Sequence, residues 1–310
     1  MWHNFQFCDT VWGMPFALSS WSFHSLFHAG DFSLLDVPAR ASSFGFAHVE
    51  LNDFMLPAPP LSNAQKLLGM VTGKRDVPAI ERYNDDILQQ LRAALDSVKV
   101  SCLCWTLDTD FTVPDEQWQM QQHYIEQGVK AAHLLDAKIM RLTLGGSDKK
   151  ESRESKEIEE LIANRLAQVV AAHPDLLWAV ENHWGVSTNT DFFLQVIIDT
   201  KARLGSHASR LGVCFDPGNT PVQSRLHHWE QLAEQAVHFH LKTTAFDDNG
   251  DETTLDYYRL VPMLKRVGYE GSVVLEYEGK DGLADGIRHS VKLFRKIFTH
   301  ARTGRFAVEK

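Results

Sequence analysis

The chain has 310 residues, 44% hydrophobic and 23% charged, a composition that supports a large buried core and allows one large α/β domain or two small ones. A formal charge of −9 argues against a surface made for nucleic-acid phosphates or anionic lipid, and with no signal-peptide pattern and no run of 18 apolar residues neither export nor membrane insertion is expected. The four cysteines, Cys8, Cys102, Cys104 and Cys214, show no CxxC spacing, and the last three lie inside apolar runs, so they read as reduced core thiols of a cytoplasmic protein.

From about residue 14 short apolar runs alternate with stretches of helical periodicity, the pattern of βα units around a parallel sheet. The candidate strands are Pro15–Ser20, Phe46–Leu51, Val100–Leu107, Lys138–Leu144, Leu176–Asn182, Leu211–Asp216, Ala236–Lys242 and Gly271–Tyr277. Helical stripes follow through Ile87, Leu88, Leu91, Leu95 and Val98, through Ile158, Leu161, Ile162, Leu166 and Val169, and around Phe193, Leu264 and Phe294. Thr190 or Asp191 is expected to cap one helix start, and Gly205 and Gly268 to end helices in the left-handed conformation. Eight strand–helix pairs are the count of a (β/α)8 TIM barrel, expected as a single domain over 1–310 with its core at about 14–300. The competing doubly wound sheet lacks a Gly-x-Gly-x-x-Gly after its first strand. Residues 53–85, irregular and rich in proline at Pro57–Pro60 with a short helix at Ser62–Met70, are expected as an extended loop over the barrel mouth.

Four consecutive candidate strands end in polar residues: Glu181, Asp216, His240 and Glu276. In a barrel those ends share one mouth, where the active site lies. Three carboxylates and an imidazole make a hard donor set, and their mutual repulsion calls for a cation: one divalent metal ion, with Mn²⁺ favoured and Mg²⁺, Co²⁺ or Zn²⁺ compatible. Period-two parity turns His183, Lys242, His238, His48 and Glu50 the same way as these ligands. His183, Glu50, Asn219, Lys242 and His24 are taken as substrate-binding candidates, Lys242 competing with a surface role and His238 reading better as a core histidine. Asp108 and Asp110 read first as turn formers, and Glu278 as a solvated carboxylate.

The stretches Leu18–His24, His48–Asp53, Val180–His183, Phe215–Asn219, His238–Lys242 and Val273–Glu278 resemble the xylose isomerase-like barrels of sugar (phosphate) isomerases and epimerases, relatives of endonuclease IV, over roughly 14–300. The resemblance implies Glu181, Asp216, His240 and Glu276 as metal ligands, the same four that strand-end position selects. It also implies an isomerase or epimerase of a small carbohydrate that removes a proton next to a carbonyl through a metal-stabilised enediolate, with Glu181 and Glu276 as catalytic acid and base. A homo-oligomer or a partner subunit is compatible with it. Two other readings keep the scaffold: a lyase or dehydratase acting by β-elimination on a 3-keto sugar, and a non-catalytic sugar- or partner-binding barrel. Thr243 departs from the family, where an aspartate often follows the lysine, and Asn219 stands where the endonuclease motif has a histidine.

Overall fold

A computed structural model describes residues 10–11, 13–59, 77–146, 155–280 and 282–303. A two-residue strand, β1 (Thr10–Val11), pairs antiparallel with β2 (Met14–Ser19). Then β3 (His48–Asn52), β4 (Ser101–Leu107), β5 (Ile139–Leu142), β6 (Leu177–Glu181), β7 (Leu211–Phe215), β8 (Ala236–Thr243) and β9 (Ser272–Tyr277) follow, each parallel to its predecessor. The pairing of β2 with β9, Phe16 opposite Val273, closes eight parallel strands into a barrel. Every expected strand is present within two residues of its expected start and end.

The helices are α1 (His24–Ala29), α2 (Val37–Ser43), α3 (Asp85–Val98), α4 (Asp115–Leu135), α5 (Lys156–Ala172), α6 (Thr190–Leu204), α7 (Arg225–Gln235), α8 (Tyr257–Arg266) and α9 (Leu283–Thr303). Local chemistry explains their ends. The Asn84 side chain accepts from the N–H groups of Asp86 (2.8 Å) and Ile87 (3.3 Å), two of the donors a helix start leaves unpaired, and α3 then buries Leu88, Leu91 and Leu95. The cap of α6 is Asn189, accepting from Phe192 N–H at 3.2 Å, rather than Thr190 or Asp191; Thr190 is already inside the helix and buried. Gly268 takes positive φ, 73°, as expected after α8, whereas Gly205 ends α6 with φ of 54° but ψ of −115°, outside the left-handed helical conformation. Helix α4 buries Tyr124, Ile125, Val129 and Leu135 with the small residues Gly128, Ala131 and Ala132 between them, which lets it pack closely; a Cβ on Gly128 would sit 2.6 Å from Leu107.

Strands buried on both faces account for their nearly continuous apolar runs. The main core lies between strands and helices around Trp105, Trp178, Phe193 and Phe294, while a small second cluster, Cys104, Ile139, Ala179 and Cys214, has all its members on strands. Among the described residues no helix is long and apolar enough to cross a membrane. The 53–85 segment begins in a single 3-10 turn, Asp53–Met55, and its far end is tied back to its start. Tyr83 donates to Asp53 at 2.9 Å, and Arg82 donates to the Leu56 carbonyl at 2.7 Å. The proposed helix at Ser62–Met70 lies outside the described residues.

Candidate metal centre

The sequence motifs at the strand ends lock onto one another. Asn182 follows β6 and uses its side chain as a strand would use its backbone: Oδ1 accepts from the N–H of Asp216 at 2.9 Å, and Nδ2 donates to the Asp216 carbonyl at 2.8 Å. Asp216 then turns the chain, its Oδ1 accepting from the N–H groups of Gly218 (2.7 Å) and Asn219 (3.3 Å). Asn219 in turn donates to Glu181 Oε1 at 3.1 Å. Gly218 is required here, because a Cβ would lie 2.7 Å from the Lys242 side chain. The loop after β6 is seated the same way. Gly185 has φ of 69°, and a Cβ on it would fall 1.9 Å from the Gly145 carbonyl of the loop after β5.

These contacts bring Glu181, Asp216, His240 and Glu276 together around one point. Nδ1 of His240 stands 3.6 Å from Glu181 Oε1, 3.7 Å from Asp216 Oδ2 and 3.7 Å from Glu276 Oε2. All three separations exceed hydrogen-bond reach. His240 Nδ1 is buried and has no hydrogen-bond partner, while Asp216 Oδ2, also buried, has the Lys242 ammonium beside it at 2.8 Å. Buried polar atoms are normally satisfied, so an orphaned imidazole nitrogen facing three carboxylate oxygens marks a place for something else. The opposite nitrogen, Nε2, faces Glu50 Oε2 at 3.3 Å and Cys214 Sγ at 3.4 Å; a proton donated to Glu50 leaves the Nδ1 lone pair aimed at the three oxygens. Ligands of one ion bound at about 2.1 Å lie about 3.0–3.4 Å apart, so small inward shifts of these four donors would enclose a hard divalent cation. The residues fit the group that the sequence pattern calls for.

The electrostatics agree. Among the described residues, Glu50, Asp108, Glu181, Asp216, Glu276 and Glu278 face only Arg141 and Lys242 as fixed cations. Burial alone would raise Glu181, but the guanidinium of Arg141, with His183 and His240, holds its carboxyl well below the ordinary carboxylate range. Burial likewise works against ionising Asp216, and Lys242 Nζ at 2.8 Å overcomes it, so this carboxyl is lowered. Glu276 is farther from that ammonium, 3.3 Å, and here burial wins and pushes the carboxyl up to about 8. Desolvation disfavours the charge of Lys242, but Asp216, Glu276 and Glu278 reverse this and hold it firmly protonated.

A cavity of about 230 Å³ opens above the quartet. Its walls combine Trp21, Phe54 and His28 with the polar Asn52, Asp108, Arg141 and His183, and it reaches Glu50, Glu181, His240 and Glu276. His183 lines it with Nδ1 buried and unpartnered. Glu50 lines the cavity at 1% exposure and accepts from His238 Nε2 at 2.7 Å as well as facing His240. His238 is fully buried and satisfied by Glu50 and by Ser272 at 2.6 Å, the core role the sequence suggested. His24 stacks on Trp21 (centroids 4.8 Å apart) and contacts the Trp21 carbonyl at 2.9 Å, standing behind the cavity wall. His48 is bonded to Ser101 at 2.6 Å. Asn219 bridges Glu181 and Lys242 rather than lining the cavity.

Three sequence readings change. Lys242 is 7% exposed and ion-paired, which rules out the surface alternative, and Thr243 points away to Ser290 on α9 at 2.7 Å, so the lysine is held without an aspartate at 243. Glu278 is not simply solvated: it accepts from Trp21 Nε1 at 2.6 Å and lies 3.3 Å from Lys242 Nζ. Asp108 pairs with Arg141 at 2.9 Å on the cavity wall, whereas Asp110 does form the expected turn, accepting from Thr112 N–H at 2.8 Å. Arg141 itself, 6% exposed and donating to both Glu181 and Asp108, was not singled out from sequence; a lone arginine inside the apolar Ile139–Leu142 run was the available signal.

Comparison with known proteins gives the same answer at the level of family. A solved D-tagatose 3-epimerase-like protein superposes with a TM-score of 0.66 at 16% identity, covering 94% of this chain and 99% of that one. A xylose isomerase-like TIM barrel protein from Mycobacterium smegmatis in complex with magnesium gives 0.64 at 13% identity, covering 93% and 97%. A 71-residue stretch is 34% identical to the C-glycoside deglycosidase alpha subunit of Microbacterium trichothecenolyticum, spanning 22% of this chain and only 19% of that protein. The sequence profile of the xylose isomerase-like TIM barrel matches residues 38–297, and with the closed barrel the chain belongs to that family.

Proposed function

We propose that the protein is a divalent-metal-dependent enzyme that removes a proton next to a carbonyl of a small, ring-sized sugar or keto-sugar, acting as an isomerase or epimerase. The observation that carries this reading is the orphaned Nδ1 of His240 facing carboxylate oxygens of Glu181, Asp216 and Glu276 on the floor of a cavity of about 230 Å³. A divalent ion in that cradle would supply Lewis-acid polarisation of the carbonyl and stabilise the enediolate charge. Glu181, Asp216, His240 and Glu276 would hold it. Glu181 and Glu276 both line the cavity and are assigned the acid and base roles, with Oε2 of Glu181, the oxygen not turned to His240, as its proton-transfer atom. Each turns one oxygen to His240 Nδ1; the other oxygen meets Arg141 in Glu181 and Lys242 in Glu276. Trp21 and Phe54 offer aromatic faces to the carbon-bound side of a sugar, while His183, Asn52 and Asp108 offer polar atoms to its hydroxyls.

A second reading keeps this site and changes the outcome: the enediolate expels a β-substituent, making the enzyme a lyase. The local likeness to a C-glycoside deglycosidase alpha subunit favours it, and would add a partner subunit. Incubation of Mn²⁺-loaded protein with ketoses, 3-keto sugars and inososes in D₂O separates the readings. Deuterium beside the carbonyl with the skeleton intact supports isomerisation or epimerisation, release of a substituent supports the lyase, and no exchange with any of them overturns both in favour of a binding protein.

A further inference from the structure

Arg141 lies on β5, opposite Thr106 of β4 and Ala179 of β6, with its side chain turned into the cavity wall. Its Nε and Nη2 both donate to Oε2 of Glu181, and its Nη1 donates to Oδ1 of Asp108 at 2.9 Å. A guanidinium is a rigid planar fork, so fixing one edge on Asp108 fixes the direction of the other. Glu181 Oε1 is left to accept from Asn219 at 3.1 Å and to face His240 Nδ1 at 3.6 Å. Glu276 has no such fork. It meets the ammonium of Lys242, a point charge on a flexible stem that is shared with Asp216 and Glu278.

We propose that Arg141, braced by Asp108, is the positioning residue of this centre: it occupies Oε2 of Glu181 and thereby commits Oε1 to the cation. The inference rests on the reading that the quartet holds a divalent ion. It makes the two glutamates unequal, Glu181 a fixed one-oxygen ligand and Glu276 the carboxylate free to change its contacts. A glutamate without the fork can rotate, or bind through both oxygens, and the centre loses a ligand set in place before the ion arrives.

Mn²⁺ titration by calorimetry on the intact protein tests this. Arg141→Gln is expected to weaken Mn²⁺ binding about 10- to 100-fold, the usual loss for a group that orients a ligand. Arg141→Lys recovers part of that loss, and Asp108→Asn, at a half-exposed position, gives a smaller loss in the same direction. Arg165→Gln separates positioning from general stability. Arg165 is equally buried and bonds the carbonyls of Phe111 (2.9 Å) and Val113 (2.6 Å) away from the centre, so its loss should lower the melting temperature and leave Mn²⁺ affinity unchanged. Folded Arg141→Gln binding Mn²⁺ within about twofold of the wild type, or Arg165→Gln weakening binding as much, overturns the role of Arg141. Folded wild-type protein that binds no Mn²⁺ overturns the metal reading itself, and this inference with it.

Discussion

Replacing Lys242 by methionine removes one of two fixed cations from a buried acidic cluster while keeping an unbranched side chain of similar reach. Its Nζ lies 2.8 Å from Asp216, 3.3 Å from Glu276 and 3.3 Å from Glu278, and the side chain is 9% exposed. Breaking a buried pair from one side leaves carboxylates without water or counter-charge, a loss of about 3–5 kcal/mol. For a chain of this size each kcal/mol shifts the melting temperature by roughly 2 °C, so Lys242→Met without metal should melt about 6–10 °C below the wild type. Added Mn²⁺ should stabilise the variant more than the wild type, because the ion then supplies the missing positive charge to Asp216 and Glu276. Differential scanning calorimetry with and without Mn²⁺ measures both effects. A metal-free variant that melts within about 2 °C of the wild type would refute the reasoning, since the carboxylates would then not depend on the ammonium.

The buried Asp53 accepts from Tyr83 and Tyr124 at 2.9 and 2.7 Å, and burial pushes its carboxyl from 3.8 up to about 7. The folded state therefore holds a proton that the unfolded chain has lost between about pH 4 and 7, and stability falls as pH rises through that window, by about 1.4 kcal/mol per unit; Asp53→Asn should flatten the slope in urea titrations between pH 4 and 7, and an unchanged slope would assign it elsewhere. Gly185→Ala forces a Cβ to 1.9 Å from the Gly145 carbonyl at a φ of 69°, and should cost at least about 2 kcal/mol in denaturant unfolding, with His183 displaced along with its loop. Cys102, Cys104 and Cys214 are buried, and burial pushes the Cys214 thiol up to about 12, so none of the three should react with a thiol reagent until the chain is denatured.

Much of the site was readable because barrel geometry converts strand ends into a shared address. Glu181, Asp216, His240 and Glu276 each end an apolar run, so position along the strand was enough to gather the three carboxylates around His240. What sequence could not supply was which side chains pair around the barrel mouth. Arg141 meets Glu181 forty residues away, Glu278 meets Trp21 at the other end of the chain, and Glu50 meets His238 across the floor. Parity told that Glu50 points inward but not that it faces both His238 and His240, on a strand five places away in the chain order. The Asn189 cap was passed over for its neighbours because Asn, Thr and Asp all cap helices and only backbone geometry chooses among them.

The most direct test of the central claim is anomalous scattering from crystals soaked in Mn²⁺. The account predicts a single strong peak within about 2.0–2.3 Å of Glu181 Oε1, Asp216 Oδ2, His240 Nδ1 and Glu276 Oε2, the distances expected for a hard divalent ion with oxygen and imidazole ligands. Saturating Mn²⁺ that leaves this position without a peak would contradict it.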